Sequence, residues 1–215
     1  MTSKHILPVS GIGLKRRLTQ LIFGLVLFGV GIGLMLQSGL GLPPWDVLHQ
    51  GLAEQFGLTV GIWSIIVSVG VLALWLPLHE RYGLGTLFNA LVIGVVIDVT
   101  AAIVAEAGNT TIAWLMLLSG ILSIGLASGL YIGAGLGPGP RDGLMTGIAK
   151  RGPSIRLTRS VIEVTVLLIG WLLGGTFGIG TVVFALVIGP LVQFFLPRLT
   201  IAPAHPEDPW DHPAR

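Results

Sequence analysis

The 215-residue chain has no cysteine, so it can form no disulfide, no thiolate metal site and no cysteine nucleophile. It is also short of charge. Asp, Glu, Lys and Arg make up 10% of residues, against roughly 25% in a soluble domain. So few charges cannot clothe a water-exposed surface. With 53% hydrophobic residues and a mean hydropathy of +0.88, the chain is one whose bulk solvent is lipid. Enzyme signatures are missing as well: there is no His-Glu-x-x-His, no Gly-x-Ser-x-Gly elbow and no cluster of His with carboxylates. The expectation is a non-enzyme with no cofactor, no metal and no nucleic-acid partner.

Glycine is abundant, at 32 residues, and much of it is ordered in a repeat. Gly39–Leu48 (GLGLPPWDVL) and Gly135–Leu144 (GLGPGPRDGL) share six of ten residues at an offset of 96. Gly83–Gly94 (GLGTLFNALVIG) and Gly178–Gly189 (GIGTVVFALVIG) share eight of twelve at an offset of 95. Two paired matches at almost one offset mark a duplicated unit.

A membrane-spanning helix needs about 20 apolar residues. Six such stretches are expected, at 19–37, 59–78, 84–104, 111–134, 159–177 and 179–197. The basic start (Lys4, Lys15, Arg16, Arg17) before an apolar run resembles a signal peptide, but the repeat begins inside that run, so we read a retained first helix. Basic residues are then absent from every outer segment. With the N-terminus inside, all 12 Lys and Arg fall in inner segments or at their edges, and the outer ones carry only Asp46, Glu54 and Glu106. This bias predicts six spans with both termini cytoplasmic.

The expected organisation is a basic cytoplasmic N-terminus (1–18), repeat 1 (19–104), an outer linker (105–110), repeat 2 (111–197) and a disordered cytoplasmic tail (198–215). Three spans per repeat make the second copy enter the membrane upside down. The predicted fold class is thus an all-α polytopic membrane protein. Its six transmembrane helices form two inverted three-helix repeats, each with a short Pro-x-Asp-initiated helix.

Pro44 and Pro140 suit the first turn of those short helices, and Asp46 and Asp142 then sit near the positive helix end. The short helices are either interfacial or re-entrant. As a helix-start device the motif is structural; as a pair of gates it would expose Asp46, Asp142 and Arg141 to solute. Gly39, Gly41, Gly135 and Gly137 supply the loop backbone. Gly29, Gly33, Gly125 and Gly129 form small-residue stripes, and Gly94 and Gly189 extend two more. Thr86, Ala90, Gly94 and Asp98 recur every fourth residue, with Thr181, Ala185, Gly189 and Gln193 as their counterparts. An intramembrane carboxylate is a functional candidate by default. Asp98, with Gln193, is therefore a candidate coupling site, against a reading in which Asp98 is simply hydrogen-bonded near the outer interface. Glu163, four residues after Arg159, is read as an ion-pair partner. Asn89, Gln37 and Tyr131 are read as interhelical or span-end polar groups, and His205 and His212 as tail residues.

The doubled Gly-Leu-Gly-x-x-Pro-x-Asp-x-Leu, with Gly-x-Gly-Thr and Ala-Leu-Val-Ile-Gly in each half, resembles the YczE/YitT-like family of bacterial membrane proteins over residues 20–197. The resemblance implies a bacterial inner-membrane location and assigns no residue a role. Trp45 stands where the second copy has Arg141, so the two loops are not identically charged. The expected function is transport of a small solute. The alternative is a non-transporting assembly factor, regulator or scaffold that binds another membrane protein, favoured by the scarcity of polar residues in the spans. The expected partners are the lipid bilayer, a small solute, and a second copy or a membrane-protein partner.

Overall fold

A computed structural model describes residues 13–201; residues 1–12 and 202–215 lie outside the described residues, and with them Lys4, His205, His212 and most of the expected tail. Among the described residues there are eight α-helices: α1 (Leu14–Ser38), α2 (Pro44–Phe56), α3 (Val60–Leu78), α4 (Leu84–Ile103), α5 (Thr110–Gly133), α6 (Pro140–Ala149), α7 (Ile155–Leu172) and α8 (Ile179–Leu199). Five of them (α1, α3, α4, α5, α8) are long and apolar enough to cross a membrane. The helix in the remaining expected span, α7, carries Arg156, Arg159 and Glu163 within 18 residues.

Local chemistry explains the helix ends. Thr59, Asn109 and Ser154 side chains accept the backbone N–H three residues on, at the starts of α3, α5 and α7. α2 and α6 each begin on proline. Three helices depart from expectation: α7 runs over Ile155–Leu172 rather than 159–177, and α1 and α8 each extend further at one end. α1 begins at Leu14, before residue 19, and the buried Arg17 on its first turns donates from Nη1 to Ala134 O at 2.9 Å. α8 carries Arg198 and Leu199, so the tail does not begin at 198; Ile201 N still donates to Gly133 O at 2.9 Å.

α1 and α5 form the central antiparallel pair. They cross where Gly31 and Gly120 meet: a Cβ on either would lie 2.8 or 2.7 Å from the other's carbonyl oxygen. α4 runs parallel to α1 and packs on Gly29 and Gly33, where a Cβ would lie 2.6 Å from Val96 and 2.5 Å from Thr100. α8 runs parallel to α5 in the same way, with Leu191 against Gly125 and Phe195 against Gly129. Without a hydrophobic force between helices in lipid, such close backbone approach is what holds them together.

The two halves are tied to each other by exchange. α2 packs on α7, and α6 packs on α3. The buried Trp75 of α3 lies against Gly143 of α6 and donates from Nε1 to Pro140 O at 3.0 Å. At the matching contact the sizes are reversed: Gly170 of α7 lies against Val47 and Leu48 of α2.

The repeated motifs also dock on one another across the halves. Leu40 O of the first Gly-Leu-Gly loop accepts from Gly180 N at the start of α8 (2.8 Å), and Leu136 O of the second accepts from Gly85 N at the start of α4 (2.7 Å). Gly41 and Gly137 sit in these contacts at φ 124° and 117°, a region only glycine adopts without strain. A Cβ there would lie 2.7 Å from Thr181 Oγ1 and 2.9 Å from Thr86 Oγ1.

One matched pair breaks the symmetry. α4 lies along α3, with Gly94 against Gly61 and Ile65. Its counterpart Gly189, expected to pack a helix, has nothing within 4 Å. α7 lies on α2 and α6, whereas α8 lies on α5, so the two diverge from the turn that joins them. The physical reason is visible in α7: at an offset of 95, Gly61 of α3 becomes Arg156, whose side chain forbids the close approach. Gly94→Ala is therefore expected to lower the thermal midpoint in detergent, at a cost of about 1–3 kcal/mol, while Gly189→Ala costs less. Equal losses at the two sites would contradict this packing.

Candidate functional site

Where α7 and α8 part, a cavity of about 490 Å³ opens, and all eight helices contribute to its wall. Phe28, Ile93, Ile124 and Ile188 line it from near the middles of α1, α4, α5 and α8, so it lies deep in the bundle. Its volume falls in the range of small-molecule sites, about 300–1,000 Å³.

The first turns of α2 and α6 converge in this cavity. Gly39 and Gly135, both left-handed (φ 66° and 65°), turn the chain back after α1 and α5. Each following loop runs inward to its docking contact, and each short helix then starts in the interior. Arg141 Nη2 consequently lies 3.6 Å from Asp46 Oδ1, and its guanidinium carbon lies 5.1 Å from the centre of the Trp45 ring. That is within cation–π range. Trp45 and Arg141, which occupy equivalent repeat positions, are thus in contact. Asp46, expected to be exposed to solute, lines the cavity and is itself 0% exposed. Arg141 and Asp142 are partly buried.

Partners divide unevenly. Asp46 Oδ1 lies 3.0 Å from Nδ1 of the fully buried His49. Asp142 Oδ2 accepts from the Tyr131 hydroxyl at 2.9 Å. Glu163 Oε1 accepts from Arg159 Nε at 2.9 Å, the anticipated i,i+4 pair, and both residues line the cavity. Asp46 Oδ2, Trp45 Nε1 and His49 Nε2 are buried with no hydrogen-bond partner. Such groups are costly to leave unmade. Two of the three belong to cavity-lining residues.

Asp98 lies elsewhere. Its Oδ1 accepts from Gly61 N at 2.8 Å and its Oδ2 accepts from the Thr59 hydroxyl, so it ties the start of α3 to the end of α4. It is absent from the cavity wall, and it does not share a polar site with Gln193, which lines the cavity from α8. The two counterparts separated because α3 packs along α4, whereas α7 packs on α2 and α6 and α8 packs on α5. Asn89 joins the wall. Sequence reasoning missed His49, Ser64 and Ser68; the two serines are buried and face the cavity. Serines four apart on one apolar helix, Ser64 and Ser68, were the available signal. Among the described residues no three of His, Cys, Asp and Glu lie close enough to hold a metal ion.

Arg141→Leu would leave Asp46 as a buried carboxylate without its cation, a loss of about 3–5 kcal/mol by analogy with buried pairs. Asp98→Ala removes a cap-like contact worth about 1–2 kcal/mol. Thermal unfolding in detergent is expected to rank the two variants in that order; the reverse order would place the critical charge at Asp98.

Residues 15–197 match the family of unknown function DUF6198. The chain is 45% identical over 182 residues to an uncharacterized protein of Haemophilus influenzae, covering 84% of each chain. It is 37% identical over 187 residues to the uncharacterized membrane protein YczE of Bacillus subtilis, covering 85% of this chain and 86% of that one. It is 30% identical over 181 residues to the uncharacterized protein YyaS of the same organism, covering 81% and 89%. No solved structure matches. With apolar helices of spanning length and a match over nearly its whole length, the chain is a membrane protein of the DUF6198 family.

Proposed function

We propose that the protein is a multi-pass transporter of the bacterial inner membrane that carries a small solute through the cavity between α2 and α6. In this reading α7 is the sixth span, both termini are cytoplasmic, and the halves are inverted repeats that rock against each other. The observation that carries the proposal is the Asp46–Arg141 contact at 3.6 Å, which joins the starts of two short helices from opposite halves. Half-helices whose N-termini meet at mid-depth are a recurrent way to build a transporter's solute site, and irregular backbone is tolerated at that depth only where protein or a cavity shields it. The antiparallel α1–α5 pair and the parallel α1–α4 and α5–α8 pairs support the inversion. The alternative, a non-transporting scaffold for another membrane protein or a second copy, draws on the largely uncovered face of α8.

The absence of native cysteine makes the test direct. A membrane-impermeant thiol reagent is applied to intact cells and to inverted vesicles. Phe56→Cys, at the outer end of α2, is expected to react only from outside, and Pro153→Cys, beyond α6, only from the cytoplasm. Reaction of both from one face would remove the inverted architecture. Gln193→Cys in the cavity is expected to react from both faces; reaction from a single face would favour the scaffold.

A further inference from the structure

The cavity's charges constrain what it binds. Its ionisable lining groups are Asp46 on α2, Asp142 and Arg141 on α6, Arg159 and Glu163 on α7, and Tyr131 on α5, with His49 behind Asp46. Glu163 and Arg159 occupy each other, and Asp142 is occupied by the Tyr131 hydroxyl. Asp46 and Arg141 remain as the pair able to change partners. Their separation of 3.6 Å is an ion-pair distance, longer than a hydrogen bond. Asp46 Oδ2 and Trp45 Nε1 are each unpartnered, in residues 0% and 7% exposed. One is an acceptor without a donor, and the other a donor without an acceptor. Both sit in the first turn of α2, where the helix dipole favours negative charge. The rest of the wall is mixed: Phe28, Ile93, Phe184 and Ile188 supply apolar surface, and Ser64, Ser68, Asn89 and Gln193 add uncharged polar groups.

We propose that the cavity binds a small organic monoanion with an apolar body, together with one proton. The anionic group takes the donors of Arg141 and Trp45 Nε1, and so replaces Asp46 as the counter-ion of Arg141. A proton from water then occupies the unpartnered Oδ2 of Asp46, which would otherwise be a buried carboxylate stripped of its cation. One negative charge enters with one positive charge, so the charge of the cavity is unchanged. A zwitterion would instead place its cationic end on Asp46 and need no proton. This proposal rests on the cavity being a solute site, and it stands or falls separately from transport itself.

The test uses the full chain in detergent and a permanently charged probe, so that any bound proton belongs to the protein. Binding of benzenesulfonate, methanesulfonate and naphthalenesulfonate is compared with that of benzyltrimethylammonium and of zwitterionic phenylalanine. At least one sulfonate is expected to bind, and more tightly than either comparator. Its affinity is expected to rise as pH falls, by up to about tenfold per pH unit, the limit for one proton taken up with each anion. Calorimetry in buffers of differing ionisation enthalpy measures that proton without any substitution. Asp46→Asn, which resembles the protonated state, is expected to bind the anion at high pH more tightly than the unaltered protein and with no pH dependence. Arg141→Gln is expected to lose at least about tenfold in affinity. Preference for the cation or the zwitterion, pH-independent binding in the unaltered protein, or no binding of any sulfonate would overturn the proposal. Uptake into proteoliposomes separates the two readings: sulfonate binding without uptake upholds the anion site and removes transport, whereas uptake of the cation alone upholds transport and removes the anion site.

Discussion

Two backbone hydrogen bonds decide where the short helices begin. Leu40 O is held by Gly180 N, and Leu136 O by Gly85 N. Each clamps a loop of one half onto a helix start of the other. An irregular loop cannot lie bare in lipid, because its N–H and C=O groups would find no partner there. Docked against a helix N-terminus, whose own amides are short of acceptors, the loop satisfies both. Glycine is needed because the two backbones must approach closer than any Cβ allows. Once the loops are anchored, α2 and α6 start inside the bundle, and Asp46, Trp45 and Arg141 are carried to one place.

Halves that share their motifs do not produce an evenly packed molecule. The α3–α4 seam closes on Gly61 and Gly94, and Asp98 fastens its end with the Thr59 hydroxyl and Gly61 N. The corresponding seam in the second half stays open because Arg156 and Gln193 stand where Gly61 and Asp98 would be. The same divergence is reversed in sign at the Trp75–Gly143 and Gly170–Val47 contacts, where one half puts bulk on the spanning helix and the other puts bulk on the short one. Close packing tolerates either arrangement provided the volumes are complementary. An open seam beside a closed one leaves one side of the central cavity loosely packed.

Five charged side chains line the cavity in a fold with little charge to spend. They are three carboxylates and two guanidinium groups. Desolvating them is unfavourable unless each finds a partner, and most do, through short contacts within α7 or between α5 and α6. The Asp46–Arg141 pair is looser, at 3.6 Å, and Asp46 Oδ2 and Trp45 Nε1 beside it are buried without a hydrogen-bond partner.

The sequence by itself determined the membrane class, the paired motifs at almost one offset, the limits of most long helices to within a few residues, and the helix-start role of Pro44 and Pro140. Apolar run length, proline geometry and repeat offset are local properties, and they are readable one segment at a time. It also singled out Asp46, Arg141 and Asp142, as groups that a pair of gates would expose to solute. Only the tertiary structure decided that α2 and α6 point inward, because that depends on loop backbones docking across residues about 140 and 50 positions apart. Periodicity placed Asp98 and Gln193 on equivalent stripes, yet one caps a helix and the other faces a cavity. The difference arises from a neighbour, Gly61 against Arg156, on another helix. Which face of a membrane helix meets protein and which meets a void is set by the side-chain volumes of its neighbour, and no pattern within the helix itself records that.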